Sequence, residues 1–191
     1  LYADYKSFKN RIFENLVKNN TRYDKLELFK KSQKLLDRFL FVLFAEDSGL
    51  IPPNTISKII EQWKQLQELD EYMSLYSRFQ ILFAHLDKGH NYKKWGVLPA
   101  YNGGLFREDE ILDDPETGID DEILEKDSLN LSRYDFNTEV DVNILGHIFE
   151  HSLNEIEQIS AKLKGEAIDK KKTKRKKDGI FYTPKYITKY I

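Results

Sequence analysis

Apolar side chains recur every three or four positions through the first half of the chain, a period typical of helices that bury one face. The pattern predicts four helices, at about residues 5–18, 24–47, 55–69 and a fourth that ends at about residue 86. The second helix has the longest apolar stripe, and its members are Leu26, Phe29, Leu36, Phe39, Leu40, Leu43 and Phe44. The first half is therefore expected to be helical throughout.

The break between the second and third helices carries residues that end or begin helices. Gly49 is placed as a C-terminal cap, and Pro52 and Pro53 prevent the second helix from continuing. Asn54 follows directly, and its side chain is expected to cap the third helix.

The middle of the chain, residues 87–137, loses the helical period because proline and glycine interrupt it. Within it, residues 97–106 predict a short hairpin that turns over Asn102-Gly103-Gly104. A further helix is predicted from Asn137 or Thr138 to Lys162. The expected fold class is mainly α, a helical connector or bundle with an irregular middle segment that holds a short hairpin.

The composition fits one domain with an appendage. The chain has 191 residues, no cysteine and a net charge of -2, and such a length can bury a core without disulfides. No run approaches the roughly 18 apolar residues of a membrane span, and no secretion signal is visible. We expect a cytoplasmic protein. Because the chain begins at Leu1 and stops at Ile191 within a helical pattern, we also expect it to be a segment of a longer protein.

Charge is strongly separated along the chain. Residues 108–127, called the acidic segment below, hold 11 acidic residues and one basic residue, and a solvated loop is expected there rather than a calcium site. Residues 162–177 hold nine basic and two acidic residues. The densest part of this tract is expected to be a flexible linker that can also contact DNA phosphates. Its cations are Lys170, Lys171, Lys172, Lys174, Arg175, Lys176 and Lys177.

One local motif suggests metal chemistry. His147, Glu150 and His151 match the H-x-x-E-H pattern of some zinc hydrolases, in which both imidazoles share a helix face. No third ligand is evident, so a surface histidine pair on an amphipathic helix is the favoured interpretation. No Glu-x-Lys triplet of a restriction-type nuclease and no glycine-rich nucleotide loop occurs.

A motif near the end of the chain, Lys176-Lys177-Asp178-Gly179-Ile180-Phe181-Tyr182-Thr183-Pro184, resembles the opening motif of adenine-specific DNA methyltransferases of Type I and Type IIG restriction–modification systems. In those enzymes the motif begins the catalytic domain and lies against S-adenosylmethionine. Three further segments resemble the region that precedes this domain in single-chain Type IIG enzymes, and they occur in the family's order. They are residues 38–47, 98–106 and 144–150.

The resemblance implies a helical connector between an N-terminal nuclease and a C-terminal methyltransferase that acts on double-stranded DNA. It also implies that Phe181, Tyr182, Thr183 and Pro184 help to form the S-adenosylmethionine pocket. A helix that begins there would offer free N–H groups to the cofactor carboxylate. Magnesium is implied only if a nuclease domain is present.

The family's glycine-rich cofactor loop and its Asn-Pro-Pro-Tyr motif do not occur in this chain. No catalytic residue and no metal ligand is therefore assigned, and the chain alone is expected to be inactive, since nothing holds an extruded adenine. The expected domains are a helical connector at 1–162, a basic linker at 163–178 and the start of a methyltransferase domain at 179–191. Two alternatives stay open: a stand-alone helical interaction module, and a zinc hydrolase that uses His147, Glu150 and His151.

Overall fold

The computed structural model describes residues 1–101 and 103–136, together with Thr138, Gly146, Ile148 and Ala161. These residues form five α-helices and one antiparallel pair of strands, so the prediction of a mainly α fold is confirmed. In chain order the elements are α1 (Tyr2–Asn19), α2 (Lys25–Asp47), α3 (Thr55–Glu68), α4 (Leu75–Lys88), β1 (His90–Tyr92), β2 (Gly96–Leu98) and α5 (Asp121–Leu131).

The hydrophobic core centres on α2, as its apolar stripe predicts. The Phe39 ring lies 5.6 Å from the ring of Phe8 on α1, measured between centroids. It lies 4.8 Å from Phe79 and 5.7 Å from Phe83 on α4, both nearly edge-on. All four rings are buried. Edge-to-face packing of this kind adds to the stabilisation from burial alone.

The break between α2 and α3 is built partly as predicted. Gly49 has a φ of 68°, which glycine adopts without steric cost. Asn54 precedes α3, but its side chain makes no capping hydrogen bond. A carboxylate oxygen of Glu46 accepts from the Ile56 N–H at 3.3 Å instead. The prediction of an Asn54 side-chain cap is wrong, because the buried Glu46 on the preceding helix accepts the hydrogen bond from the free N–H of Ile56.

The hairpin lies earlier in the chain than predicted. β1 pairs with β2 so that Tyr92 faces Gly96, and the chain turns through residues 93–95. Leu98 is buried, which fixes the end of β2 on the core. The predicted turn over Asn102-Gly103-Gly104 is therefore not the hairpin turn, and Asn102 lies outside the described residues.

The middle segment contains a helix that the sequence pattern does not predict. α5 occupies residues that were expected to be irregular, and it buries Leu124 and Leu131. Its buried face also contains Asp127 and Ser128, so the hydrophobic period is interrupted and the helix is hard to detect. Acidic residues in its first turn, Asp121 among them, favour a helix N-terminus.

The helix predicted up to Lys162 lies outside the described residues apart from Thr138, Gly146, Ile148 and Ala161. Of these, Ile148 is buried within the hydrophobic core. Across the part of the chain that the structure describes, none of the helices combines the length and the apolar character needed to cross a bilayer.

Candidate functional site

Arg38 joins two of the segments that carry the family resemblance. It lies on α2 at the start of segment 38–47, and its side chain is fully buried. Its Nε donates to the carbonyl oxygen of Leu105 at 2.9 Å, and its Nη2 donates to that of Arg107 at 3.1 Å. Because Leu105 belongs to segment 98–106, one guanidinium fixes the end of the second segment to the first.

The same guanidinium forms a two-point ion pair with Asp113 in the acidic segment. Nη1 and Nη2 donate to the two carboxylate oxygens at 2.8 and 2.9 Å. Asp113 also accepts from the Asp109 N–H at 2.8 Å. Parallel bonds of this kind combine strength with a fixed orientation. A buried charge is costly unless it is paired and hydrogen-bonded, and the bonds of Arg38 meet that requirement.

Aromatic side chains hold the two segments together around Arg38. Phe41 on α2 lies 4.9 Å from the Tyr101 ring and 5.1 Å from the Phe106 ring, both steeply inclined to it. Phe83 on α4 lies 6.0 Å from Phe106, and its ring centroid is 5.2 Å from the Arg38 guanidinium carbon. The segments are therefore joined by apolar packing as well as by the buried charge.

The acidic segment is not a solvated loop, and that prediction is wrong. On α2, the Nζ atoms of Lys31 and Lys34 lie 2.7 and 2.9 Å from one carboxylate oxygen of Asp109, which is almost fully buried. Asp109 and Asp113, which look solvated in the sequence, are paired with cations of α2 that lie about 75 residues away. Pairing with α2 places Asp109 and Asp113 against the core.

The acidic segment also follows α1 and the turn after it. Its contacts there run from Asp127, near the end of α5, back to Asp114. The pairs are Arg11 with Asp127 at 2.7 Å, Asn15 with Asp120 at 2.6 Å, Asn19 with Asp120 at 2.7 Å and Arg22 with Asp114 at 2.8 Å. Several of these groups are exposed, so each pair stabilises the fold only slightly. Together they fix the register of the acidic segment on α1.

The pKa of Asp109 shows how strongly this anchor favours the charged carboxylate. Burial alone would raise the pKa of Asp109, but hydrogen bonds from Lys31, Lys34 and the N–H groups of Leu112 and Ile111 lower it well below its usual range. A carboxylate that accepts several such bonds stays ionised at all physiological pH values. Asp109 is therefore a permanent negative anchor for two lysines.

Two acids at the end of segment 38–47 join α2 to later parts of the chain. Burial raises the pKa of Glu46 to about 7, against the bonds it accepts from the Ile56 and Thr55 N–H groups. Asp47 accepts from the Phe136 N–H at 2.8 Å, so α2 also contacts the chain shortly after α5. These acids position backbone, and no described contact gives them a catalytic role.

The residues that the sequence singles out for chemistry lie outside the described residues. This holds for the cofactor residues Phe181, Tyr182, Thr183 and Pro184, for the basic tract Lys170–Lys177 and for His147, Glu150 and His151. Among the residues that are described, no group of three or more His, Asp or Glu side chains is placed to hold a metal ion.

The structural network of Arg38 and the acidic segment was missed by sequence reasoning, although a signal for it exists. Basic residues recur at 11 and 18 on α1 and at 22 in the turn after it, and they recur with helical spacing at 31, 34 and 38 on α2. Such stripes place the cations of each helix along one side. A chain with two basic stripes and one acidic segment predicts that the segment lies along the stripes.

Residues 30–106 match the family described as "MmeI, helicase spacer domain". These residues include α2 from Lys30 onwards, α3, α4, the hairpin and segment 98–106, and thus the bond from Arg38 to the Leu105 carbonyl. Over 195 aligned residues the chain is 26% identical to a Methanocaldococcus jannaschii protein named as a type II restriction enzyme and methyltransferase. The alignment covers 93% of this chain but 15% of that relative's length. No solved structure matches.

The two matches agree with the resemblance to Type IIG restriction–modification enzymes, and the spacer-domain match is confined to residues 30–106. The chain spans about 15% of the length of the relative it matches.

Proposed function

We propose that this chain is the spacer of a restriction–modification protein and holds a methyltransferase domain in a fixed position relative to a nuclease domain. The observation that carries the proposal is the junction within the family match, where buried Arg38 closes segment 98–106 onto α2. A spacer that fixes distance must resist bending, and buried ionic and aromatic contacts between distant segments supply that resistance.

The parent protein is proposed to be a site-specific, adenine-specific DNA methyltransferase that uses S-adenosylmethionine, acts on double-stranded DNA in the cytoplasm and has endonuclease activity. The support is the name of the similar archaeal protein and the Phe181-Tyr182-Thr183-Pro184 motif. Those four residues would line the cofactor pocket, and the basic tract before them would contact DNA phosphates.

Methyl transfer by the full-length protein tests this proposal. Unmodified DNA is incubated with the protein and isotopically labelled S-adenosylmethionine, and the nucleosides are then separated by mass spectrometry. We expect the label on the N6 atom of adenine. Addition of Mg²⁺ should also produce DNA cleavage, which gel electrophoresis detects.

A pair of tyrosine variants separates the cofactor motif from a general effect on folding. Tyr182→Ala should weaken S-adenosylmethionine binding, because an aromatic ring that packs on the cofactor is lost. Tyr72→Ala is the control, since Tyr72 is 75% exposed. Label on cytosine, or none, would reject the adenine methyltransferase. Stoichiometric zinc that disappears in His147→Ala would support the hydrolase instead.

A further inference from the structure

A small polar cleft separates α3 from the hairpin, and we call it the α3–hairpin cleft. Its volume is about 300 Å³, and its walls are Lys58, Glu61, Gln62, Gln65, Lys94 and Trp95. Two ammonium groups, two amides and one indole therefore meet one carboxylate. This composition differs from the apolar lining that is usual for a small-molecule pocket.

Aromatic packing fixes the hairpin wall of the cleft. The Trp95 ring lies 4.9 Å from that of Tyr92, and the Tyr92 hydroxyl is 2.8 Å from Nδ1 of His85 on α4. The rings of His85 and His90 stack at 3.8 Å. On the other wall, Nζ of Lys58 is 5.9 Å from the Trp95 centroid. The hairpin is thus braced against α4, and Trp95 faces Lys58.

Positive charge in this cleft is not neutralised in the way it is elsewhere. The basic residues of α1 and α2 that face the acidic segment are paired with it. Within the described part of the chain, neither Lys58 nor Lys94 has a carboxylate at ion-pair distance; Lys58 donates instead to the Pro53 carbonyl. Residues 88–98 hold three lysines and no acid.

A third cation lies directly behind the cleft. Nη2 of Arg78 donates to the Gln62 amide oxygen at 2.9 Å, so this bond orients a cleft-lining side chain. Nε of Arg78 is buried and has no hydrogen-bond partner among the described residues. Burial and the charges of His90 and Arg78 lower the pKa of His85. The positive potential around the cleft therefore comes from α3, α4 and the hairpin together, against Glu61 alone among the lining side chains.

We propose that the α3–hairpin cleft binds a phosphodiester of the DNA backbone through the ammonium groups of Lys58 and Lys94 and the side-chain amide of Gln65. The proposal rests on the proposed function, since it takes DNA as the ligand of the parent protein. Phosphate contacts of this type set the position of a protein on DNA without reading its sequence, and such positioning is useful in a spacer. The proposed site consists of residues of α3 and the hairpin and includes no residue of the basic tract.

The salt dependence of DNA binding by the full-length protein tests the site. Each phosphate contact that is lost lowers the slope of log K against log salt by about 0.9. The double variant Lys58→Gln/Lys94→Gln should therefore lower the slope by about 1 and weaken binding roughly tenfold near 0.1 M salt. The control is Lys6→Gln/Lys25→Gln, which removes two exposed lysines that lie outside the cleft.

Glu61→Gln should change DNA binding in the opposite direction, and misfolding cannot explain a gain in binding. This change removes the carboxylate from the lining and should strengthen DNA binding several-fold, because repulsion of the phosphate disappears. Quenching of Trp95 emission by DNA in a Trp63→Phe background, abolished by the double lysine variant, would support the site as well.

An unchanged salt slope in the double variant, while the parent protein still methylates DNA, would overturn the cleft and leave the proposed function intact. Quenching by inorganic phosphate but not by DNA would overturn it in favour of a free-anion site. Binding of polyglutamate in place of DNA would assign the cleft to an acidic protein partner. Absence of DNA binding and methylation by the unaltered parent would instead reject the proposed function.

Discussion

Replacing Arg38 with methionine tests the network that closes α2 onto the acidic segment. The change keeps most of the side-chain volume but removes the partner of Asp113 and the donors to the Leu105 and Arg107 carbonyls. Breaking a buried ion pair from one side costs about 3–5 kcal/mol, whereas the two carbonyls are only part-buried and can turn to water. Asp113 keeps its bond from the Asp109 N–H and is 16% exposed, which moderates the loss.

We therefore expect Arg38→Met to lower the free energy of unfolding by about 4 kcal/mol, measured by urea denaturation of the chain with circular dichroism at pH 7. Arg22→Met is the matched control, because Arg22 is 39% exposed and pairs with Asp114 at the surface. That change should leave the free energy of unfolding nearly unchanged.

Combining Arg38→Met with Asp113→Asn should cost less than the sum of the single changes, by about 2 kcal/mol, since the second change removes the uncompensated carboxylate. A loss from Arg38→Met below about 1 kcal/mol, or equal to that of Arg22→Met, would refute the reasoning. If the losses of the two single changes simply add in the double variant, Arg38 and Asp113 do not interact.

Three other predictions concern acidity and packing. Asp109 has a lowered pKa in the folded chain, so its stabilising effect is complete above roughly pH 4 and is lost as the pH falls below that value. The double variant Lys31→Gln/Lys34→Gln should reduce this acid sensitivity in urea titrations between pH 5 and pH 2. Glu46 has a pKa raised to about 7, so stability should fall as the pH rises from about 4.5 to 7. Glu46→Gln should make that fall smaller when urea midpoints at pH 5 and pH 8 are compared, and the part that remains is expected from Asp37, whose pKa is also raised. Phe39→Ala should cost about 3–5 kcal/mol in the unfolding free energy, because a fully buried ring at the centre of the core is lost.

Each of these predictions has a contrary outcome. Unchanged acid sensitivity in the double lysine variant would show that Asp109 is not the group that titrates. If the stability of Glu46→Gln keeps the wild-type pH dependence between pH 5 and pH 8, the dependence comes from another group. Asp37 is that group, because burial raises its pKa to about 7 as well. A loss from Phe39→Ala below about 1 kcal/mol would remove α2 from the centre of the core.

The helical first half could be predicted because its period is regular and its breaks are marked by Gly49 and two prolines. The role of Arg38 could not be predicted from that period, because an arginine between Leu36 and Phe39 looks like a polar position at the edge of the stripe. Its burial depends on Asp113, which lies 75 positions away, and local patterns carry no information about such a partner.

The acidic segment failed as a prediction for a related reason. Its charges look solvated when they are counted along the chain, and only the cations of α1 and α2 show that they are paired. A hairpin was correctly predicted, but its position was wrong, since Asn102-Gly103-Gly104 is the stronger local turn signal. Burial of Leu98 and the end of α4 at Gly89 select residues 93–95 instead.

The central claim is that the helices form a structural spacer rather than a passive tether. In the full-length protein, DNA methylation and DNA cleavage should be measured against temperature for the unaltered protein, Arg38→Met and Arg22→Met, together with unfolding of the spacer. We predict that both activities of Arg38→Met fall in parallel at the lowered temperature at which its spacer unfolds, while Arg22→Met follows the unaltered protein. Full methylation and cleavage with an unfolded spacer would contradict the account.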